Sequence, residues 1–493
     1  MRALRRIATG GLRVLPDGDD MTAPFHLIDN ADGEITQGDR LLLWRDGRIE
    51  CFDATGIVSC APNAHTPDFP DALDSTLRRA VGDVSSLRRL LPIGGGMVSH
   101  QTLRFVDDDR KTHARLSAWC LTADGGGRAL VVQLRPLRGY DRTARRIEEG
   151  IVALGAAPLD AGALVARLFP KAPILPADTP VEFAADEPAL SVARRLIAAQ
   201  IATLRQNEAG IIADVDTEFL HDYRVALRRM RSIAGLFSGV IAPQRAAALK
   251  LRFAALMRPT GPLRDLDVRL IDAARFRAMV PPALHRGLDA MEELIAARRA
   301  DAQAELAEHL RTATYRREMR VLERLFAPQG GLRPGPNGGD PIGLLAARLI
   351  DKRRKRFARL ARAIEPQTPD VAVHALRIEG KKLRYLLEFF APLCDRQELA
   401  GLLRPLKQLQ DILGRFNDAS VQAEDLSAFT QAIDPARMEG AVEMAAAAGA
   451  LHAALAIRQA TERRALTDAL AAFDHADVAR RIRRLFPEGS PHP

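Results

Sequence analysis

Cysteine is scarce in this chain: Cys51, Cys60, Cys120 and Cys394 are the only four in 493 residues, with no CxxC pair and no Cys/His metal spacing. A disulfide framework and a thiolate zinc centre are therefore excluded, and free thiols in a reducing compartment are expected. No apolar run reaches the roughly 18 residues that would read as a bilayer-spanning segment. Two Trp and four Tyr provide little surface for base stacking. The opening MRALRRIATGGLRVLP is basic but has neither an apolar h-region nor a cleavage site, so a cytoplasmic location is expected.

Helix formers are plentiful. Hydrophobic residues make up 47% and charged residues 27%, an ordinary balance for a globular chain that can bury sizeable cores. The formal charge is +9, and it is unevenly placed. Residues 1–180 hold 23 Lys/Arg and 23 Asp/Glu, which leaves 48 against 39 in the remainder. The positive excess lies in the second part of the chain and suggests a polyanionic partner.

Residues 1–21 read as a disordered leader or a misassigned start, with Met21 as an alternative first residue. Residues 22–165 carry strand and turn signals. LLLWRDGRIECF (Leu41–Phe52) predicts a hairpin about Asp46-Gly47. A helix is expected over Ala72–Leu91, stopped by Pro92 and Gly94–Gly96. THARLSAWCLTADGGGRALVVQLRPL predicts a second hairpin turning at Asp124–Gly127, with Ala114, Leu116, Ala118 and Cys120 on one packed face. Asp141–Leu154 reads as a helix. Residues 166–187, rich in proline, are assigned to a linker, and 188–490 to a helical domain.

Within that domain FLHDYRVALRRMRSIAGLF (Phe219–Phe237) returns 153 residues later as AVHALRIEGKKLRYLLEFF, ending at Phe390. His221 matches His374, Arg224 matches Arg377, Arg228 matches Lys381, Arg229 matches Lys382 and Arg231 matches Arg384. The same offset lays Val192–Ile197 over Leu345–Ile350 and Leu256–Val268 over Leu409–Val421, bringing Gly261 onto Gly414 and Asp265 onto Asp418. The region is a duplication, repeat one 188–326 and repeat two 342–490, joined by a loop at 327–341. The expected fold class is α+β: a small β-rich module, then an all-α duplicated bundle with pseudo-twofold symmetry. Thr368-Pro369-Asp370 predicts the opening of the second signature helix, with a capping hydroxyl and proline at the first helical position. A basic turn at Arg480–Arg484 closes the chain.

At about 100° per residue, His221, Arg224, Arg228 and Arg231 fall within about 80° of one helix face. Leu227, Met230, Ile233, Ala234 and Phe237 lie opposite, as do Leu376, Leu383, Leu386, Leu387 and Phe390 in the second copy. Like charges at this spacing cost a few tenths of a kcal/mol per pair, yet both copies keep them, with no acid on the arc between His221 and Arg231 or between His374 and Glu388. A line of Arg and Lys suits phosphate oxygens, and each histidine is a candidate extra donor. Further basic contacts are expected from Arg195, Arg264, Arg348, Lys352 and Lys407. Arg264-Asp265 and Asn417-Asp418 are read as fixing a glycine corner between helices. One acid and one histidine per copy (Glu218 or Asp370 with its His) make no metal site. No catalytic residues, cofactor or metal are expected.

The duplicated HDYRVALRRMRS and HALRIEGKKLRY signatures resemble the CHAD domain, the conserved histidine α-helical domain, over roughly 185–490. That resemblance implies two pseudo-symmetric helical bundles about a basic groove or pore. It also implies binding of inorganic polyphosphate, in some members with association to polyphosphate or polyhydroxyalkanoate granules. The family's basic residues carry over as Arg224, Arg228, Arg229, Arg231, Arg377, Lys381, Lys382 and Arg384, and its histidines as His221 and His374. Residues 22–160, with PLRGYDRTARRIEEGI (Pro136–Ile151), are similar to the later part of a CYTH domain. The opening ExExK of that family has no match here, so nothing is expected to hold the divalent ion that triphosphate hydrolysis needs. The alternatives weighed are a CYTH-type metal-dependent triphosphate or polyphosphate hydrolase and an RNA-binding protein. Neither a membrane span nor a nucleic-acid partner is expected.

Overall fold

The computed structural model describes residues 11–59, 68–175, 180–431, 433, 438–473 and 475–487. Cys60, residues 1–10 of the expected leader, 176–179 of the expected linker and the last residues of repeat two lie outside the described residues. The chain divides into two compact units, Met1–Ala177 and Asp178–Pro493.

The first unit is an antiparallel sheet of eight strands, β1 (Arg13–Pro16), β2 (Met21–Asn30), β3 (Leu41–Arg45), β4 (Arg48–Asp53), β5 (Gly56–Ser59), β6 (Leu90–Val106), β7 (Thr112–Ala123) and β8 (Arg128–Pro136). Their order is β5-β4-β3-β2-β6-β7-β8, with β1 added to β6, and the sheet curls into a nearly closed barrel. The β3–β4 hairpin turns at Asp46 and Gly47, both in the left-handed region, as a two-residue turn requires. Four helices cover the sheet: α1 (Glu34–Gln37), α2 (Ser75–Ala80), α3 (Asp141–Ala153) and α4 (Ala161–Leu168).

Several sequence expectations change here. Part of the expected leader is structured, because Arg13–Pro16 pairs with Val106–Leu103 as β1. The helix expected over Ala72–Leu91 is only α2, and Pro92 and Gly94–Gly96 lie inside β6. Gly96 is there because a Cβ would stand 2.1 Å from the Thr122 carbonyl oxygen on the neighbouring strand. The second hairpin is not one-sided. Ala114, Leu116 and Ala118 pack with Ile147 and Ile151 of α3, while Trp119, Leu121 and Ala123 fill the opposite face with Val165 and Leu168 of α4. The segment expected to be linker contributes too, since Phe169, Ala172 and Ile174 pack on this second cluster.

The second unit is helical: α5 (Ala189–Ile212), α6 (Thr217–Leu236), α7 (Pro243–Met257), α8 (Gly261–Ile271), α9 (Ala273–Met279), α10 (His285–Arg311), α11 (Ala313–Phe326), α12 (Ile342–Arg362), α13 (Asp370–Phe389), α14 (Arg396–Gln431), α15 (Ala441–Ala472) and α16 (His475–Leu485). Both ends of α6 recur in α13 at the 153-residue offset, and the start of α5 recurs in α12. The symmetry is physical as well as sequential. Ala189 N–H donates to the Asp340 carbonyl and Ile342 N–H donates to the Glu187 carbonyl, each at 2.9 Å, about an antiparallel Pro188–Pro341 bridge. Reciprocal bonds of this kind are what a twofold axis produces.

The dry faces hold the helices together. Leu227, Met230 and Ile233 are wholly buried, as are Leu383, Leu386, Leu387 and Phe390. At about 1.5–3 kcal/mol per buried side chain, this outweighs the few tenths lost to each like-charge pair on the other face.

The copies differ where proline differs. Arg258-Pro259-Thr260-Gly261-Pro262 breaks repeat one between α7 and α8, whereas Asp411-Ile412-Leu413-Gly414-Arg415 runs uninterrupted inside α14. The glycine corner expected at Gly414 is therefore absent. Pro369 is the N-cap of α13 instead of its first helical residue, and Thr368 Oγ1 accepts from Glu365 N–H rather than capping the helix. The expected basic turn at Arg480–Arg484 is part of α16, which buries Val478, Ala479, Ile482 and Leu485. Among the described residues one helix, α15, is long and apolar enough to cross a membrane, with a window of mean hydropathy 1.3. That revises the expectation of no such run. Its Met444, Ala447, Ala448, Leu451 and Leu455 pack against Leu288 and Met291 of α10 and Leu426 and Phe429 of α14.

Candidate polyanion site

Helix α6 starts at Asp216, whose carboxylate accepts from the Glu218 and Phe219 N–H groups. Helix α13 has no side-chain cap, and its Asp370 instead binds Arg463 and Gln459 of α15. From these starts the cations follow at helical spacing, so Arg224, Arg228 and Arg231 rise along α6 and Arg377, Lys381 and Arg384 along α13.

The two helices pack on each other at their C-terminal ends, where Phe237 and Phe390 stack at 5.2 Å. These residues occupy the same position in the two copies, so the stack sits on the pseudo-twofold axis. Arg228 from one copy then reaches the field of Lys381 from the other, its own counterpart in the repeat. Burial pushes the Lys381 ammonium down to about 8, Arg377 and Arg228 push the same way, Asp418 pulls against them, and Arg384 adds a smaller push downward. Burial also lowers Arg224, with Arg228 and Arg264 adding to the effect and Asp265 opposing it. Arg224, Arg228, Arg264, Arg377, Lys381 and Arg384 thus form one cationic cluster built from both repeats.

Neighbouring helices aim these side chains. Arg224 Nη1 donates to Thr260 Oγ1 at 2.6 Å, and that hydroxyl donates to the Met257 carbonyl. Repeat two has Leu413 in the place of Thr260, and Arg377 turns to Asp418 at 3.7 Å. Asp265 faces Arg224 from the matching position, and burial raises it. The histidines are anchored from the same helices. Arg264 Nη2 donates to His221 Nδ1 at 2.9 Å, and His374 Nδ1 meets Asn417 Oδ1 at 2.5 Å. Arg264 and Asn417 thus hold the two rings rather than a glycine corner.

The other candidates stand apart from the cluster. Lys382 pairs with Glu379 at 3.5 Å, a buried carboxylate that Arg353 and Arg356 share. Arg229 lies near Glu388, beside a largely apolar cavity of about 480 Å³ lined by Leu196, Ile233 and Phe389. Burial raises Glu388, whereas Arg384, Arg229 and Lys407 favour its charge. Arg195 and Arg348, equivalent in the repeat, bind Glu187 and Asp340 at the starts of their helices. Arg231, Lys352 and Lys407 are exposed. Arg228, Arg231 and Lys381 form no ion pair among the described residues, while Arg377 and Arg384 have Asp418 and Glu388 within 3.7 Å and 3.5 Å. The acid-free arc expected from sequence is therefore confined to part of the cluster, because Asp418 reaches in from α14, which periodicity along α13 does not report.

The Nε atoms of Arg224 and Arg377 are buried with no hydrogen-bond partner, and that of Arg384 has Glu388 Oε1 at 3.5 Å. A buried donor left unpaired costs about 1–3 kcal/mol, so Arg224 and Arg377 leave hydrogen-bonding capacity unmet within the cluster. The chemistry offered is multidentate donation and positive charge, which suits phosphoryl oxygens. The carboxylates Asp265 and Asp418 are each turned to an arginine, and no group of three or more His, Cys, Asp or Glu able to hold a metal occurs among the described residues. In the first unit Glu50 is bound through both oxygens by Arg45. Thr260, Asp265, Asp418 and Asn417 are the site residues that the sequence reading had not placed on the cationic face. The 153-residue offset between Asp265 and Asp418 was the available signal.

The family model of the CHAD domain matches residues 195–427. The chain is similar to the crystal structure of the CHAD domain from the plant Ricinus communis at 25% identity and a TM-score of 0.50, covering 60% of this chain and 96% of that one. PptA from Streptomyces chartreusis is less similar, with 15% identity and a TM-score of 0.45 over 57% of this chain and 99% of that one. No curated protein matches.

Proposed function

Residues 195–427 place this chain in the CHAD domain family, and we propose that its helical unit is a receptor for inorganic polyphosphate. The family is linked to polyphosphate. The observation that carries the reading is the meeting of two equivalent cationic helices at the Phe237–Phe390 stack, with Lys381 in the field of Arg228 and neither in an ion pair among the described residues. A linear polyanion laid over this cluster relieves the mutual repulsion of the cations.

The reading is of a binding protein and not an enzyme. Strand β2 reads MTAPFHLIDN, without the ExExK carboxylates of a metal-dependent triphosphate hydrolase. Attachment to polyphosphate or polyhydroxyalkanoate granules belongs to the same proposal. Replacing Arg228, Arg231, Lys381 and Arg384 together by Glu is expected to abolish polyphosphate binding with the helical circular dichroism intact. Undiminished binding in that variant refutes the site. A preference for RNA over polyphosphate at physiological salt would favour a nucleic-acid receptor instead.

A further inference from the structure

Two adjacent lysines on α13 have opposite surroundings. Lys382 sits on the buried carboxylate of Glu379. Lys381 is partly buried and has no ion pair among the described residues. Arg377 and Arg384 stand about one turn before and after it on α13. Arg228 holds the equivalent position on α6, which packs on α13 at the Phe237–Phe390 stack, and Asp418 of α14, the acid in opposition, lies 3.7 Å from Arg377. This cluster gathers phosphate groups and at the same time disfavours the ammonium form of the amine at its centre. A neutral amine is a nucleophile.

We propose that Lys381 is an acylation site, modified without an enzyme by small acyl phosphates whose phosphate is held by Arg228, Arg377 and Arg384. The inference rests on reading the cluster as a collector of phosphate groups, but not on the length of the phosphate chain. The Lys381 Nζ lone pair attacks the acyl carbon and forms the C–N bond. The bond from that carbon to the phosphate oxygen breaks, its electron pair leaves with inorganic phosphate, and the proton lost from the amine passes to that phosphate or to water. The guanidinium groups stabilise the departing phosphate. The product is an amide with no positive charge, so each acylated chain loses one of the cations with which it holds a polyanion.

The test uses the full chain, acetyl phosphate and mass spectrometry. Cleavage after glutamate yields a peptide, Gly380–Glu388, that carries both lysines, so Lys382 is an internal control. At pH 8 the initial acetylation rate at Lys381 is expected to exceed that at Lys382 by at least about tenfold. The preference should shrink several-fold when acetic anhydride, which has no phosphate, replaces acetyl phosphate, and also in Arg384→Gln. Equal rates at the two lysines with acetyl phosphate would overturn the proposal, as would an identical preference with both reagents. Protection of Lys381 by long-chain polyphosphate would join the two readings. Selective acetylation without such protection upholds this inference and removes polyphosphate as the ligand.

Discussion

His374 and Asn417 form a hydrogen-bonded pair on helices α13 and α14, with Nδ1 and Oδ1 2.5 Å apart. One repeat earlier the same two positions are His221 and Arg264, joined at 2.9 Å. The geometry is kept while the partner changes from an acceptor to a donor, and that fixes the two rings differently. Accepting from Arg264 means that His221 Nδ1 carries no proton. Bonding to the Asn417 oxygen puts the proton of His374 on Nδ1. Repeat one thus brings an extra cation, Arg264, to the cluster where repeat two has the uncharged Asn417.

That asymmetry predicts the effect of Asn417→Arg. The substitution copies repeat one into repeat two and adds a cation beside Arg377 and Lys381. Polyphosphate affinity is expected to rise several-fold at low salt. The slope of log affinity against log salt should steepen by about 0.7, the value for one more contact to a single-stranded polyanion. Fluorescence titration across a salt series measures both, and an unchanged slope would place position 417 away from the ligand.

Lys381 predicts a pH dependence. Its ammonium is held down to about 8 in the free protein by burial and by Arg377 and Arg228, and a bound anion favours the charged form. Binding therefore takes up a proton at mildly alkaline pH. Affinity should fall as pH rises through 8, by up to about tenfold per unit until the bound-state value is passed. Calorimetry in buffers of different ionisation enthalpy reads the proton directly. Lys381→Arg should bind with no such uptake.

The same crowding predicts a trade between stability and binding. A lysine whose folded value lies below its unfolded value destabilises the fold in full below the folded value. The penalty fades as pH rises towards the unfolded one. Lys381→Gln should therefore melt higher than the parent at pH 7, by about 2 °C, with the gap closing towards pH 10. It should bind polyphosphate more weakly throughout. A lower melting temperature at pH 7 would mean that Lys381 is stabilised by contacts other than those described.

Where the duplication is gapless, sequence alone locates structure closely: α6 and α13 share both boundaries at one offset, and their dry faces are the ones periodicity picks out. What the pattern along a helix cannot report is what neighbouring helices bring to it. Asp418 and Thr260 reach the cluster from α14 and from the loop after α7, so an arc that looks free of acids along α13 is partly compensated in three dimensions. The glycine corner failed for a local reason, because the break depends on Pro259 and Pro262 and not on the glycine both repeats share. Strand β6 was hidden for a long-range reason: Pro92 and Gly94–Gly96 read as a stop locally, whereas pairing with β2 and β7 carries the strand through them.

The stack of Phe237 on Phe390 ties the two repeats to each other, so its loss should reach the binding site without touching any charge. Both rings are almost wholly buried, with an interplanar angle of 17°. Truncating either to Ala is expected to cost about 3–5 kcal/mol, and the two changes should be non-additive because each removes the same contact. Arg228 and Lys381 are held near one another only because α6 and α13 are packed together at this end. Phe390→Ala should therefore weaken polyphosphate binding and flatten its pH dependence, since separation from Arg228 relieves Lys381. Phe390→Leu fills most of the volume and should restore much of both. Urea denaturation and the calorimetric titration check the two effects on the same preparations. If Phe390→Ala is destabilised as expected but binds with unchanged affinity and proton uptake, the two helices do not act as one site.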